Sequence, residues 1–223
     1  MKQMEGILII DKPSGITSHD VVDCVRRKLH MRKIGHAGTL DPIATGILVL
    51  LVGKATKLFS RFVNFDKTYE ATLTLGKTTT TGDIQGKVMK EYPYQHINEH
   101  QVREAASRFV GEIEQVPPMV SAIKHKGNRL YKLARRGLSV RRTPRKITIY
   151  ELHILKFATP EADFSARCSK GTYIRKLGED IGDSLGVGGF ISRIRRIGLG
   201  PFTIRDAVQL DQVNESHIRS WKD

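Results

Sequence analysis

Residues 35–48 read Gly35-His36-Ala37-Gly38-Thr39-Leu40-Asp41-Pro42-Ile43-Ala44-Thr45-Gly46-Ile47-Leu48. One acid, Asp41, stands among small and apolar residues, directly before a proline. Pro42 biases Asp41 toward an extended backbone and removes one donor. The flanking glycines let another chain, or a ligand, approach closely. Taken alone, an aspartate beside proline is most often an Asx-turn, bonding a nearby N–H. Chemistry at Asp41 would require burial beside a cation and a face open to a cavity. Residues 34–46 are accordingly expected to form a structured loop. The apolar run that follows, residues 46–52, is far shorter than the ~18 residues that span a bilayer.

Working outward, residues 6–10 are a strand candidate ending in Asp11-Lys12-Pro13-Ser14-Gly15, which reads as a turn. Ser18 is placed to cap a helix with Val21, Val22, Val25 and Leu29 on one face. Downstream, Tyr69-Glu70-Ala71-Thr72-Leu73-Thr74-Leu75 alternates with period two, so Tyr69 points inward with Ala71, Leu73 and Leu75. Asn98 starts a helix expected to run through Val102, Ala105, Phe109 and Ile113, with Gln101 at capping-box spacing. Residues 146–157 and 163–168 are strand candidates. Residues 173–185 are amphipathic, and Gly186 stands at the C′ position. Helices and strands mix without βαβ alternation, which predicts an α+β fold. No repeat or linker appears, so the chain is expected to be a single domain, 1–223, carrying an insertion at about 117–145.

The formal net charge is +14, from 37 Lys and Arg against 23 Asp and Glu. Such an excess favours a polyanionic partner. Between Gln115 and Tyr150 there is no acid, yet the stretch holds Lys124, Lys126, Arg129, Arg141, Arg142 and Arg145 among its cations. A one-sign run of this length points to a nucleic-acid footprint. Arg193, Arg195 and Arg196 form a second basic cluster. The two cysteines, Cys24 and Cys168, are far apart and form no CxxC pair, and no histidine spacing suggests a metal site. The N-terminus lacks a signal-peptide pattern, so a cytoplasmic location is expected. Phosphate-loop, zinc-deaminase and GxSxG signatures are absent.

Residues 35–48 closely resemble the catalytic signature of the TruB family of tRNA pseudouridine synthases. Five further segments resemble that family's motifs in the same order: residues 11–15, its Lys-Pro motif; residues 67–71, its catalytic tyrosine segment; residues 75–83, its Thr-rich turn; residues 115–118 with 121–124, the start of its RNA-gripping thumb; and residues 171–175, its arginine motif. The resemblance implies the pseudouridine synthase fold, a central mixed and mostly antiparallel sheet flanked by helices, with the basic insertion as the thumb. It implies isomerisation of uridine 55 in the T-loop of tRNA by base flipping, with no cofactor, metal, guide RNA, membrane or obligate protein partner.

By the same resemblance Asp41 is the nucleophile, toward either the ribose or the uracil ring. Arg175 pairs with it, keeping it ionised and fixing its rotamer. Tyr69 stacks on the flipped base and serves as a general base. His36 enters the space left by displaced T-loop bases. Lys12 and Pro13 buttress the pocket, Ile194 lines it, and Gly38 and Tyr173 belong to the substrate site. Lys124, Lys126, Arg129, Arg141, Arg142 and Arg145 are the thumb's RNA contacts. Many relatives carry a C-terminal PUA-type domain, and none is expected here. Two other readings stand beside it: a non-catalytic RNA-binding or tRNA-folding protein, which composition and charge fit equally well, and a guide-dependent ribonucleoprotein synthase, which resembles this chain around Asp41.

Overall fold

A computed structural model describes residues 5–125 and 127–221. In chain order the elements are β1 (Gly6–Lys12), α1 (Ser18–Lys28), β2 (Ile34–Ala37), β3 (Thr45–Val52), a 3-10 turn (Gly53–Leu58), α2 (Phe59–Val63), β4 (Lys67–Leu75), β5 (Lys77–Thr79), β6 (Val88–Glu91), α3 (Glu99–Ser107) and β7 (Gly111–Gln115). Then follow β8 (Lys124–His125), β9 (Asn128–Arg129), α4 (Leu130–Arg135), β10 (Arg145–Ala158), β11 (Glu161–Cys168), α5 (Ile174–Ser184), β12 (Gly189–Leu199), β13 (Phe202–Thr203) and β14 (Val208–Gln209). The chain forms two compact units, Met1–Glu70 with Ile194–Asp223, and Ala71–Arg193.

In the first unit the strand order is β14-β1-β3-β12, with β2 also on β3. β1 and β2 run antiparallel to β3, while β14 joins β1 and β12 joins β3 in parallel. Seven of the eight residues of β3 are buried, as expected of a central strand covered on both faces. One core cluster gathers Ile7, Ile9, Ile47, Val49 and Leu51 against Phe62 and Leu199, with Phe65, Phe202 and Trp221 packed on it. In the second unit the order is β4-β11-β10-β7; β10 is antiparallel to both β11 and β7. The arrangement is the expected α+β one, a mixed and mostly antiparallel sheet with helices.

The elements that carry the site follow from local signals. Thr17, and not Ser18, caps α1: its hydroxyl accepts from the Asp20 N–H while the Asp20 carboxylate accepts from the Thr17 N–H. Ser18 is inside the first turn, buried, and committed elsewhere. Asn98 and Gln101 form the expected capping box of α3. That helix ends at Ser107, earlier than expected. Gly111 takes φ +112 and turns the chain into β7, where Ile113 pairs with Ile147. Residues 34–46 are likewise not all loop, since β2 occupies their first four positions. Gly186, at φ +75, closes α5: its N–H bonds Asp183 O and the Val187 N–H bonds Gly182 O, a Schellman cap.

The basic insertion shows why its sequence lacks a single period. It is a two-residue hairpin, β8 against β9, followed by the six-residue α4. Lys126 lies outside the described residues.

Candidate active site

In the first unit, the loop between β2 and β3 carries Asp41. Its backbone is held at alternate residues by three side chains from three elements. Arg196, on β12, donates from Nη2 to Gly38 O at 3.2 Å and from Nε to Ile47 O at 2.7 Å. Ser18, on α1, accepts from the Leu40 N–H at 2.8 Å and donates to Leu40 O at 3.1 Å. Lys12, the last residue of β1, donates to Pro42 O at 3.3 Å, and to Ile16 O and Pro13 O at 2.7 and 2.8 Å. Asp41 stands between the last two clamps, its own C=O accepting from the Ala44 N–H in a turn at 3.0 Å. A buried polar group that loses such a partner costs about 1–3 kcal/mol, so the three clamps hold the loop in one conformation.

Two of the clamping groups are cations. Lys12 is fully buried although the sequence reads it as a turn residue; it completes β1, and Pro13 next to it is exposed. Arg196 is 1% exposed. Burial pushes the Lys12 ammonium down to about 8, the nearby Asp41 and Asp20 carboxylates oppose the shift, and Arg196 adds to it. The site thus places an aspartate beside a buried lysine. Gly46 permits this packing: it has φ +97, and a Cβ there would meet Arg196 O at 2.2 Å. Gly38, at φ +94, turns the chain where Arg196 reaches it.

Three other residues singled out in the sequence also lie in this unit. Tyr69 is buried on β4, on the alternation with Ala71, Leu73 and Leu75. His36 is half-buried on β2, opposite Leu50. Ile194 is buried on β12, its C=O 3.5 Å from the Thr45 hydroxyl.

The second unit holds Arg175. It is one residue into α5 and 2% exposed, unlike most helical arginines. Its Nη1 donates to Thr81 O at 2.7 Å and its Nη2 to Val120 O at 2.8 Å, and its Nε is 3.7 Å from Asp83 Oδ2. The Thr-rich turn is therefore a socket for this guanidinium. Asp83 is itself fixed, accepting from the Thr81 hydroxyl at 2.6 Å and the Gln85 N–H at 3.0 Å. Tyr173 precedes α5, and buried Gln115 grips it twice: Oε1 accepts from the Tyr173 N–H at 2.8 Å and Nε2 donates to Tyr173 O at 3.1 Å.

The thumb cations divide. Lys124, Arg129, Arg141 and Arg145 are exposed. Arg142 is half-buried and donates to Pro117 O at 3.1 Å, a bond that shapes the insertion. The second basic cluster divides as well. Arg193 pairs with Asp163 at 3.1 Å, Arg195 with Asp11 at 2.6 Å, and Arg196 is the buried clamp. The roles of Ser18, Arg196, Asp83 and Gln115 were missed in the sequence. For Arg196 a signal existed: it shares the parity of buried Ile194 along β12.

The TruB family pseudouridylate synthase N-terminal domain matches residues 26–174, and the tRNA pseudouridylate synthase B C-terminal domain matches residues 175–223. The chain belongs to the TruB family. Among TruB relatives, the tRNA pseudouridine synthase B of Opitutus terrae is 46% identical over 212 residues, 95% of this chain and 88% of that protein. That of Thermobifida fusca is 45% identical over 217 residues, 94% of this chain and 74% of that protein. The solved Cbf5-Nop10-Gar1 complex contains a chain that matches with a TM-score of 0.75 and 28% identity over 98% of this chain. This chain spans 60% of that one.

Proposed function

We propose that this TruB enzyme converts a uridine in the T-loop of tRNA, position 55, to pseudouridine, with Asp41 as nucleophile. The observation that carries the reading is the triple clamp on the Asp41 loop. A mere turn needs no two buried cations and a buried hydroxyl to hold its backbone, whereas a nucleophile must be held to within a fraction of an ångström.

The reaction breaks the bond from uracil N1 to ribose C1′, turns the base, and forms a bond from C5 to C1′. The proton at C5 is then lost to solvent and N1 takes one up, so the product is an isomer and no redox partner is needed. The Asp41 carboxylate attacks C1′ or the uracil ring and is released when the new bond is complete. Arg175, presented by α5 from its socket of Thr81, Val120 and Asp83, pairs with Asp41 in a planar fork that lysine cannot reproduce. Tyr69 stacks on the flipped base and takes a proton from the sugar. His36 fills the space that the displaced bases leave. Lys12, Pro13, Gly38, Tyr173 and Ile194 shape the pocket, and exposed Lys124, Arg129, Arg141 and Arg145 contact RNA phosphates.

The enzyme acts without a guide RNA or partner protein. Support comes from the two tRNA pseudouridine synthase B relatives, at 45–46% identity against 28% for the chain of the Cbf5 complex. The test is tritium release from C5-labelled tRNA by the purified chain alone. Release from position 55 is expected; none without added RNA or protein would overturn the stand-alone reading.

A further inference from the structure

Between Cys24 and Leu40 the chain contains five lysines and arginines, two histidines and no acid. In the structure Arg26, Arg27, His30, Met31 and Arg32 line an open groove of about 550 Å³ at the C-terminal end of α1. Basic residues in a last helical turn ordinarily serve the helix itself, by complementing its dipole. That explanation covers part of the set. Arg26 bonds Asp23 at 3.0 Å and Ile34 O at 2.8 Å, and Lys28 donates to Asp211 O. It reaches Arg27, in the last turn, but not Arg32 and Lys33, which lie beyond the helix. All three are exposed, and among the described residues none has an ion-pair partner.

His30 is a second, independent sign. It takes φ +51, the only non-glycine residue in the left-handed region among those described. The turn is a Schellman cap, with the His30 N–H bonding Arg27 O and the Met31 N–H bonding Arg26 O. Glycine adopts this conformation without steric cost. A side chain that is both basic-capable and able to stack stands here instead, exposed among the arginines.

We propose that this groove is a second RNA-binding surface, in which Arg27 and Arg32, with the neighbouring exposed Lys33, contact backbone phosphates around His30. The proposal rests on the tRNA reading above. α1 gives its distance from the chemistry. Ser18, in its first turn, bonds Leu40 beside Asp41, and Arg27 lies nine residues further on, about 14 Å along the axis at ~1.5 Å per residue. At roughly 3 Å per base pair of an A-form RNA stem, that is about four to five steps. A nucleotide held at Asp41 therefore brings the groove within reach of phosphates of the same stem, on a different unit from the thumb. Contacts in the groove set the register in which the loop meets Asp41, which is the task of phosphate contacts generally.

The experiment measures the Kd of full-length tRNA for wild type and the triple variant Arg27→Ala, Arg32→Ala, Lys33→Ala, across a range of salt. The expected result is a loss of ~10-fold or more at low salt, with the slope of log K against log salt flatter by about two. The loss should vanish on hairpins whose stems are too short to reach four base pairs from the loop. An unchanged thermal midpoint shows that the variant is folded. An unchanged Kd and slope on full-length tRNA, or an equal loss on the shortest hairpins, overturns the proposal. Wild type that neither binds nor modifies tRNA refutes the substrate reading instead, so the two failures are distinguishable.

Discussion

Lys12 carries a charge that burial disfavours, and its titration is open to measurement. Its folded value, about 8, lies below the ~10.4 of an unfolded lysine. Between those values the unfolded chain binds the extra proton, so this group alone makes the fold more stable as pH rises through that window. Activity is expected to move the other way, because the cation beside Asp41 is lost. The kcat/KM of wild type should fall with a midpoint near pH 8, and in Lys12→Arg, which keeps its charge, that limb should disappear at whatever rate remains. An identical limb in both proteins would remove Lys12 from the account. Tyr69→Phe should keep the fold, since the ring still packs in the core, but lose ~10²-fold or more in kcat if the hydroxyl transfers a proton; near-wild-type turnover would reduce Tyr69 to packing. At this scale the sequence was legible where a side chain's face follows a local period, as with Tyr69, buried on its period-two face; Asp41 taken alone reads as a turn, and its role comes from the resemblance to TruB. It was not legible where the role depends on a distant partner. Ser18 reads as a cap because its neighbours are helical, and only the fold brings Leu40 to its hydroxyl. Arg196 reads as one cation in a basic run, and only β3 beside β12 makes it a clamp.

α5 is an element whose position determines where a buried guanidinium points. Gln115 ties its first turn to the end of β7 by two bonds, and both partners are lost together on truncation. Gln115→Ala should therefore destabilise the protein by about 1–3 kcal/mol, read as a lowered thermal midpoint, with a larger loss in kcat than in RNA affinity. A loss confined to KM would mean that α5 does not depend on this grip. The thumb calls for a different measurement. Arg141→Ala with Arg145→Ala should weaken tRNA binding and flatten its salt dependence by about one or more, because both side chains are exposed. Arg142→Ala should act mainly through stability, since it supports Pro117 O. Equal salt slopes in wild type and the double variant would place the RNA elsewhere. Strands and capping boxes were readable because their signals are local: the alternation at 69–75, and Asn98 with Gln101. The end of α3 was not, because Phe109 and Ile113 continue a helical spacing that Gly111 interrupts, and pairing with β10 outweighs the propensity.

For the whole molecule, a net charge of +14 supplies non-specific attraction to RNA, and neither charge nor fold defines a reaction. What distinguishes a synthase from an RNA-binding protein of the same shape is whether the clamped carboxylate does chemistry. The decisive measurement is tritium release from C5-labelled tRNA by Asp41→Asn, alongside its Kd for the same RNA. Asparagine keeps the side chain's shape and leaves the backbone clamps of Arg196, Ser18 and Lys12 in place. Release is expected to fall by ~10⁴-fold or more while Kd stays within about threefold of wild type, as a nucleophilic Asp41 requires. Release at a rate comparable to wild type, with the RNA still bound, would contradict that role.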